Sequence, residues 1–193
     1  MADHNEERDF VSRLQKGEAK AYEELIESYS DMVYRVCYRM LQNRQDAEDA
    51  MQEVFITVYR KIGDFRGESK FSTWLYKIST NTALGMIRSA NRKHGQDISV
   101  DSMEDENAEA TEAWLAVSDD FVEKVESEEL IHKALEELSP NLSAALVLHE
   151  LEGLSVAETA EALGISVSAA KVRIHRARRA LYEILREYLK EEF

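Results

Sequence analysis

Apolar residues recur at helical spacing through most of the chain, and glycines interrupt that spacing. One such stripe runs through Ala47, Met51, Val54, Val58 and Ile62, close to the 3.6-residue period of an α-helix. Six of the seven glycines fall between stripes, where a flexible backbone ends a helix at little cost. No segment shows sustained alternation with β-branched enrichment, the pattern of a half-buried strand. The sequence therefore predicts an all-α fold with essentially no sheet.

The acids are concentrated in one stretch, and this stretch divides the chain. The 193 residues carry a net charge of −14, yet thirteen of the acids lie within 95–129, where Lys124 is the only base. A chain of this length suits one mid-sized domain or two small ones. We therefore predict two small helical domains, 1–94 and 128–193, joined by an acidic linker over 95–127.

The composition of this linker leaves two interpretations open. Its acidity and polarity suit a solvated, disordered tether. Trp114, Leu115 and Phe121 interrupt that polarity, however, and they suit a segment whose apolar residues dock on a partner. The sequence alone does not decide between the two.

Several classes of protein are excluded by simple counts. The single cysteine, Cys37, cannot form an intrachain disulfide, and its place on an apolar stripe predicts a buried structural thiol. The longest aliphatic run, 144–148, is far too short to span a membrane. The acidic N-terminus lacks the apolar core of a signal peptide. We therefore expect a cytoplasmic protein without membrane insertion.

The C-terminal part contains the pattern of a helix-turn-helix. Ser155 and Glu158 have the spacing of a capping box at the start of a short helix. Gly164 provides a tight turn after that helix, and Ser166 is placed to cap a second, longer one. In a helix-turn-helix the second helix enters the major groove of DNA.

This second helix has one apolar and one basic face. The expected buried face consists of Val167, Ala170, Ile174, Ala177 and Leu181. No acid occurs within 162–182, while five bases do. Arginine and lysine contact guanine O6 and N7 or neutralise phosphates. The candidate DNA-binding residues are Ser168, Lys171, Arg173, His175, Arg176 and Arg178.

An acidic face is predicted on a helix of the N-terminal domain. Asp46, Asp49 and Glu53 follow at i, i+3 and i+7. Such carboxylates can bind a metal, engage a basic partner or simply face water. Metal binding is the least favoured, because no histidine lies nearby and no loop geometry orients the acids.

Aromatic and basic residues alternate over 65–78, which suits a surface that stacks unpaired bases and holds a phosphate backbone. Trp74 and Leu75 are expected in the core. Phe65 and Tyr76 lie outside the apolar stripe and are the better candidates for nucleic-acid contact. A polar flank continues along the same helix at Lys77, Asn81, Arg88 and Arg92.

Three motifs together resemble the sigma-70 family of bacterial RNA polymerase sigma factors. They are Asp46-Ala47-Glu48-Asp49 through Phe55, Phe71-Ser72-Thr73-Trp74 through Asn81, and Gly153-Leu154-Ser155 through Arg178. The length and layout resemble the extracytoplasmic-function (ECF) group, and the match covers about 18–92 and 128–186. The resemblance implies a sigma-2 domain that binds the polymerase clamp and melts the −10 element. It also implies a sigma-4 domain that binds the polymerase flap and reads the −35 element.

The resemblance assigns roles residue by residue. The residues implied in core-polymerase binding are Asp46, Asp49, Gln52, Glu53 and Phe55. Those implied at the −10 element are Phe65, Phe71, Trp74, Tyr76, Lys77 and Asn81, and Arg88 on the same polar flank joins them as a candidate. Those implied at the −35 element are Lys171, Arg173, His175, Arg176 and Arg178, and Ser168 on the same polar face joins them as a candidate. The implied partners are core RNA polymerase, promoter DNA and an anti-sigma factor, with no cofactor and no catalytic residue.

Two other classes of function remain as alternatives. One is a helix-turn-helix repressor with an N-terminal sensing or dimerising bundle, which would read palindromic half-sites without polymerase. The other, an enzyme, is the least favoured. His149-Glu150 begins like a zinc-protease motif, but Gly153 stands where the second histidine ligand is required.

Overall fold

The part of the chain that the structure describes consists of helices and the turns that connect them. The computed structural model describes residues 2–93 and 128–191, with side chains over 5–93 and 130–188, and these ranges contain no strand. The all-α prediction is thereby confirmed. The chain divides into two compact units, Met1–Ala83 and Leu84–Phe193. The predicted linker over 95–127 lies outside the described residues.

Four helices form the N-terminal part. They are α1 (Ala2–Gln15), α2 (Ala19–Leu41), α3 (Arg44–Lys61) and α4 (Phe71–Lys93), with a 3₁₀ turn at Ile62–Asp64 after α3. Gly17 separates α1 from α2 and has a φ of +76°, which residues with a side chain rarely adopt. The unit boundary after Ala83 falls inside α4.

The core of the first unit is formed chiefly where α2 packs against α3. Its fully buried side chains include Leu25, Val33, Val36, Val54 and Val58. The connection between these helices is short, and both of its ends are capped. The N–H of Gln42, which has a φ of +53°, donates to Tyr38 O, and Asn43 accepts a hydrogen bond from Asp46 N. The start of α3 is therefore held in a defined orientation.

An aromatic cluster joins the start of α4 to the other helices. Phe71 is fully buried, and the rings of Phe10, Tyr29 and Phe65 lie 5.5–5.8 Å from its centroid in edge-on geometry. Trp74 extends the cluster, 5.2 Å from Phe65. Edge-on pairs of this kind add about 0.5–1.5 kcal/mol each beyond the area that they bury. The cluster therefore anchors the segment that leads into α4.

The second unit is built around its last helix. Its elements are α5 (Glu128–Glu137), α6 (Pro140–Leu146), a π-helical turn (Val147–Leu151), α7 (Val156–Leu163) and α8 (Val167–Glu191). The helix α8 packs against α5, α6 and α7. Pro140 occupies the first turn of α6 after Ser139. The sequence did not predict the π-helical turn. No helix in the described ranges is long and apolar enough to cross a membrane.

Candidate nucleic-acid and protein interfaces

The acidic face predicted on α3 is exposed. Asp46, Asp49, Gln52 and Glu53 all lie at the surface, whereas Phe55 is half-buried. Within this face Gln45 Nε2 donates to Asp49 Oδ1 at 3.4 Å. Nearby, Arg44 pairs with Glu48 at 3.0 Å, and this hydrogen bond raises the pKa of Arg44. The face therefore presents carboxylates to solvent, where a basic partner can reach them.

The described residues contain no group of three or more His, Cys, Asp or Glu side chains that could hold a metal ion.

Cys37 is fully buried on α2, and burial raises the pKa of its thiol to about 12. The thiol is therefore protonated at neutral pH and belongs to the core, as the sequence predicts.

The structure corrects the expectation for Phe65. Its ring lies outside the sequence stripe, but it is only 8% exposed, because it turns inward between Phe71 and Trp74. Phe71 is also buried and presents no ring to solvent. These two residues therefore lie in the core beneath the surface residues and are not part of the surface.

The remaining residues of the aromatic and basic segment lie at or near the surface of α4. Trp74 and Tyr76 are half-buried, so the expectation that Trp74 is core holds only in part. Lys77, Asn81 and Arg88 are exposed. Arg88 Nε donates back to Leu84 O at 3.2 Å. The helix thus offers partly covered aromatic rings beside exposed basic and amide groups, the combination that suits single-stranded nucleic acid.

Two residues of α1 that sequence reasoning missed contact the turn before α4 and the first residue of α4. Gln15 Nε2 donates to Ile62 O and Phe65 O, and Glu7 Oε1 accepts from Phe71 N. The partners are 47 to 64 residues apart in the chain. No local pattern could have indicated them.

The helix-turn-helix of the second unit has the predicted caps. Ser155 Oγ accepts from Glu158 N at 3.2 Å, and Glu158 Oε2 accepts from Ser155 N at 3.0 Å, which completes the capping box. Gly164 ends α7 with a φ of +67°. Ser166 Oγ then accepts from Ala169 N at 3.1 Å at the start of α8.

The two faces of α8 differ as predicted, with one correction. Ala170, Ile174, Ala177 and Leu181 are buried. Val167, which was expected on the same face, is 47% exposed, because it is the first residue of α8 and stands between exposed serines. Among the candidate DNA-binding residues, Ser168 and Lys171 are exposed, and Arg173, His175, Arg176 and Arg178 are half-buried.

Arg178 is held by a residue that sequence reasoning treated only as part of a failed enzyme motif. Arg178 Nε lies 2.6 Å from Glu150 Oε1 in the π-helical turn. His149 Nδ1 lies 2.6 Å from Leu154 O, a distance at which a protonated Nδ1 donates to this carbonyl. The π-helical turn therefore orients the side chains of Glu150 and His149 toward the helix-turn-helix.

The fold and these surfaces define a helix-turn-helix protein with a separate helical bundle. Residues 25–93 match the family model of Sigma-70 region 2, and residues 128–181 match that of Sigma-70 region 4. The chain belongs to the sigma-70 family of RNA polymerase sigma factors and, by its relatives, to the ECF group.

Relatives match along nearly the whole chain. The RNA polymerase sigma-H factor of Pseudomonas aeruginosa is 33% identical, covering 99% of this chain and all of the relative. The ECF sigma factor SigW of Bacillus subtilis is 35% identical, covering 92% and 95%. The sigma factor RpoE of Bartonella quintana, solved with the anti-sigma factor NepR, has the same fold, with a TM-score of 0.63 at 21% identity over 87% and 98% of the chains.

Family membership answers two questions that the sequence left open. Sigma factors are initiation factors without chemistry of their own, so the protein is not an enzyme. Membership also decides against the repressor alternative, because a sigma factor acts through RNA polymerase.

Proposed function

We propose that this chain is an alternative sigma factor whose two units carry separate tasks. It binds core RNA polymerase and directs the enzyme to promoters with particular −10 and −35 elements. Residues 1–94 form the polymerase-binding and −10 domain, 128–193 form the −35 domain, and the acidic stretch 95–127 connects them. The observation that supports this most directly is that an exposed acidic helix face and a capped, basic helix-turn-helix lie in separate units.

The acidic face of α3 is the proposed contact for core polymerase. Its exposed members present carboxylates and one amide, and the half-buried Phe55 adds apolar area beside them. Complementary charge raises association rates and fixes the register of a complex. We therefore expect a basic surface on the polymerase side.

The proposed −10 surface lies on α4. Lys77, Arg88 and Asn81 are exposed along it, and Trp74 and Tyr76 offer partly covered rings. Stacking of an unpaired base on an aromatic ring is worth about 1–3 kcal/mol, which offsets part of the cost of melting. With Phe65 buried, its proposed role is to support this surface rather than to stack on DNA.

The proposed −35 surface is the polar face of α8. Ser168 and Lys171 are exposed near its N-terminus, the end with which a recognition helix contacts base edges. The half-buried basic residues further along suit contacts to phosphates at the groove edge.

Each DNA contact is weak alone, and polymerase makes them act together. When the enzyme holds both units, binding of one element raises the effective concentration of the other. The free chain, with its acidic stretch, is expected to bind promoter DNA poorly. The proposal includes a cytoplasmic location and control by an anti-sigma factor, the kind of partner that the Bartonella quintana structure contains.

The test is run-off transcription with core polymerase on a genomic library. The expected result is a set of start sites that requires this chain and shares upstream −10 and −35 elements. Gel shifts with the free chain should show weak binding. Start sites that do not change when the chain is omitted, or tight sequence-specific binding without polymerase, would contradict the proposal.

A further inference from the structure

We propose that α1 is a positioning element for −10 recognition, acting through Glu7 and Gln15. These residues hold the turn 62–70 and the first turn of α4 in the conformation that reads the −10 strand. The inference rests on the proposed function, which places −10 reading on α4. The helix α1 precedes residues 25–93, which the family model of region 2 covers.

Gln15 fixes the turn with one side chain. Its Nε2 donates to Ile62 O at 3.1 Å and to Phe65 O at 3.0 Å, so both amide hydrogens are used. Phe65 N also donates to Ile62 O at 3.2 Å. The two carbonyls that Gln15 binds are thus the two ends of a single turn, and their separation is set from α1.

Glu7 fixes the start of α4. Its Oε1 accepts from Phe71 N at 2.7 Å. The first N–H groups of a helix have no partner within it, and a negative charge is favourable beside them. A charge-assisted hydrogen bond at this position therefore determines where α4 begins and how Phe71 enters the aromatic cluster.

The helix α1 is itself firmly anchored. Phe10, Val11 and Leu14 are buried. Arg13 pairs with Glu24 of α2 at 2.8 Å, and Tyr22 donates to Leu14 O at 3.0 Å. Because α1 is attached to α2 in this way, the side chains of α1 that contact the turn hold it at a fixed position.

The polar contacts lie beside an open groove at the surface. The groove has a volume of about 180 Å³, lies between α1 and the turn, and its lining includes Val11, Ser12 and Arg66. Ile62 and Phe65 of the turn are buried. Glu7 and Gln15 add directional hydrogen bonds to this apolar packing and fix the turn against α1 on the side of the groove.

The variants are chosen to change hydrogen bonding with little change of shape. Gln15→Glu is isosteric and replaces the donor by a carboxylate that faces two carbonyl oxygens. Glu7→Ala removes the acceptor at Phe71 N, whereas Glu7→Gln retains an acceptor oxygen. Glu6→Ala, at an exposed position of the same helix, is the matched control.

The full-length chain is reconstituted with core polymerase on a promoter mapped by the run-off experiment. Permanganate reactivity of unpaired thymines measures opening at the mapped −10 element and at a base-substituted copy. Affinity for core polymerase, discrimination at the −35 element and the thermal unfolding midpoint are measured in parallel.

We expect Gln15→Glu and Glu7→Ala to lower opening at the mapped −10 element about tenfold, the effect of losing one charge-assisted or two neutral hydrogen bonds. Polymerase affinity and −35 discrimination should stay at the wild-type values, and the unfolding midpoint should fall only by the few degrees that the loss of these hydrogen bonds accounts for. Glu7→Gln should recover most of the opening, and Glu6→Ala should match wild type.

Wild-type opening by both variants would overturn the inference. So would a parallel loss of opening, polymerase affinity and thermal stability, because that pattern describes general unfolding. If wild-type holoenzyme did not distinguish the −10 element from its substituted copy, the proposed function itself would fail and this inference with it. The wild-type measurement therefore separates the two failures.

Discussion

Arg178 Nε lies 2.6 Å from Glu150 Oε1, and this ion pair ties the middle of α8 to the π-helical turn that precedes α7. The side chains are 24% and 12% exposed, respectively, so both charges are largely removed from water. In such a place the removal of one partner is costly, because it leaves the other charge largely removed from water without this contact. The pair therefore holds α8 against the turn. Direct −35 contact by Arg178 stays a prediction.

Glu150→Ala should destabilise the second unit, since it leaves the Arg178 guanidinium without this acceptor. We expect the free energy of opening of α8 to fall by about 2 kcal/mol. Hydrogen exchange of the α8 amides in the full chain measures it, with Glu161→Ala on the exposed face of α7 as the control. The double variant Glu150→Ala with Arg178→Met should recover part of the lost free energy of opening, because the half-buried charge is then removed as well. Unchanged α8 protection in Glu150→Ala would contradict the assigned role of the pair.

Asp49→Arg should weaken core-polymerase binding at least tenfold, because it reverses a charge in the exposed acidic face of α3. The thermal unfolding midpoint should not change, since the side chain is at the surface. Titration of labelled core enzyme measures the affinity. Glu27→Arg, an exposed charge reversal on α2, is the control and should bind normally. Equal affinities for the two variants would show that the polymerase contact lies elsewhere.

Lys171→Ala should reduce the salt dependence of promoter binding by the holoenzyme. If this exposed lysine neutralises one phosphate, the slope of log K against log salt should fall by about one. Filter binding over a range of salt concentrations provides the slope. Lys20→Ala, exposed on α2, removes the same charge and should leave the slope unchanged. A wild-type slope for Lys171→Ala would show that this lysine does not neutralise a DNA phosphate.

Cys37 should make stability depend on pH under alkaline conditions. Burial raises the pKa of its thiol from 9.0 to about 12, so the folded state holds this proton more tightly than the unfolded state does. The contribution of this raised pKa to the free energy of unfolding is complete below pH 9. It is lost as the pH rises toward 12, at about 1.4 kcal/mol per pH unit. Urea unfolding of wild type and Cys37→Ala at several pH values isolates the contribution of the thiol to the free energy of unfolding. A difference between them that stays constant across this range would be evidence against a raised pKa.

Local chemistry accounts for the parts of the fold that were predictable. The capping box at Ser155 and Glu158 and the turn at Gly164 involve contacts within a few residues, so spacing alone indicates them. The apolar stripes likewise place Val54, Val58 and Ile174 in the core before any packing is known. Helix order, the basic face of α8 and the acidic face of α3 follow from the same short-range rules.

Long-range contacts decided the rest, because their free energy depends on which helices meet. Phe65 is buried by Phe71 and Trp74 although no stripe includes it. Glu150 meets Arg178 across 28 residues, and Gln15 meets Phe65 across 50. A hydrogen bond or ring contact over such a separation forms only after the intervening chain has folded. Amino-acid order therefore specified the helices and their faces, while packing between helices selected the side chains left at each surface.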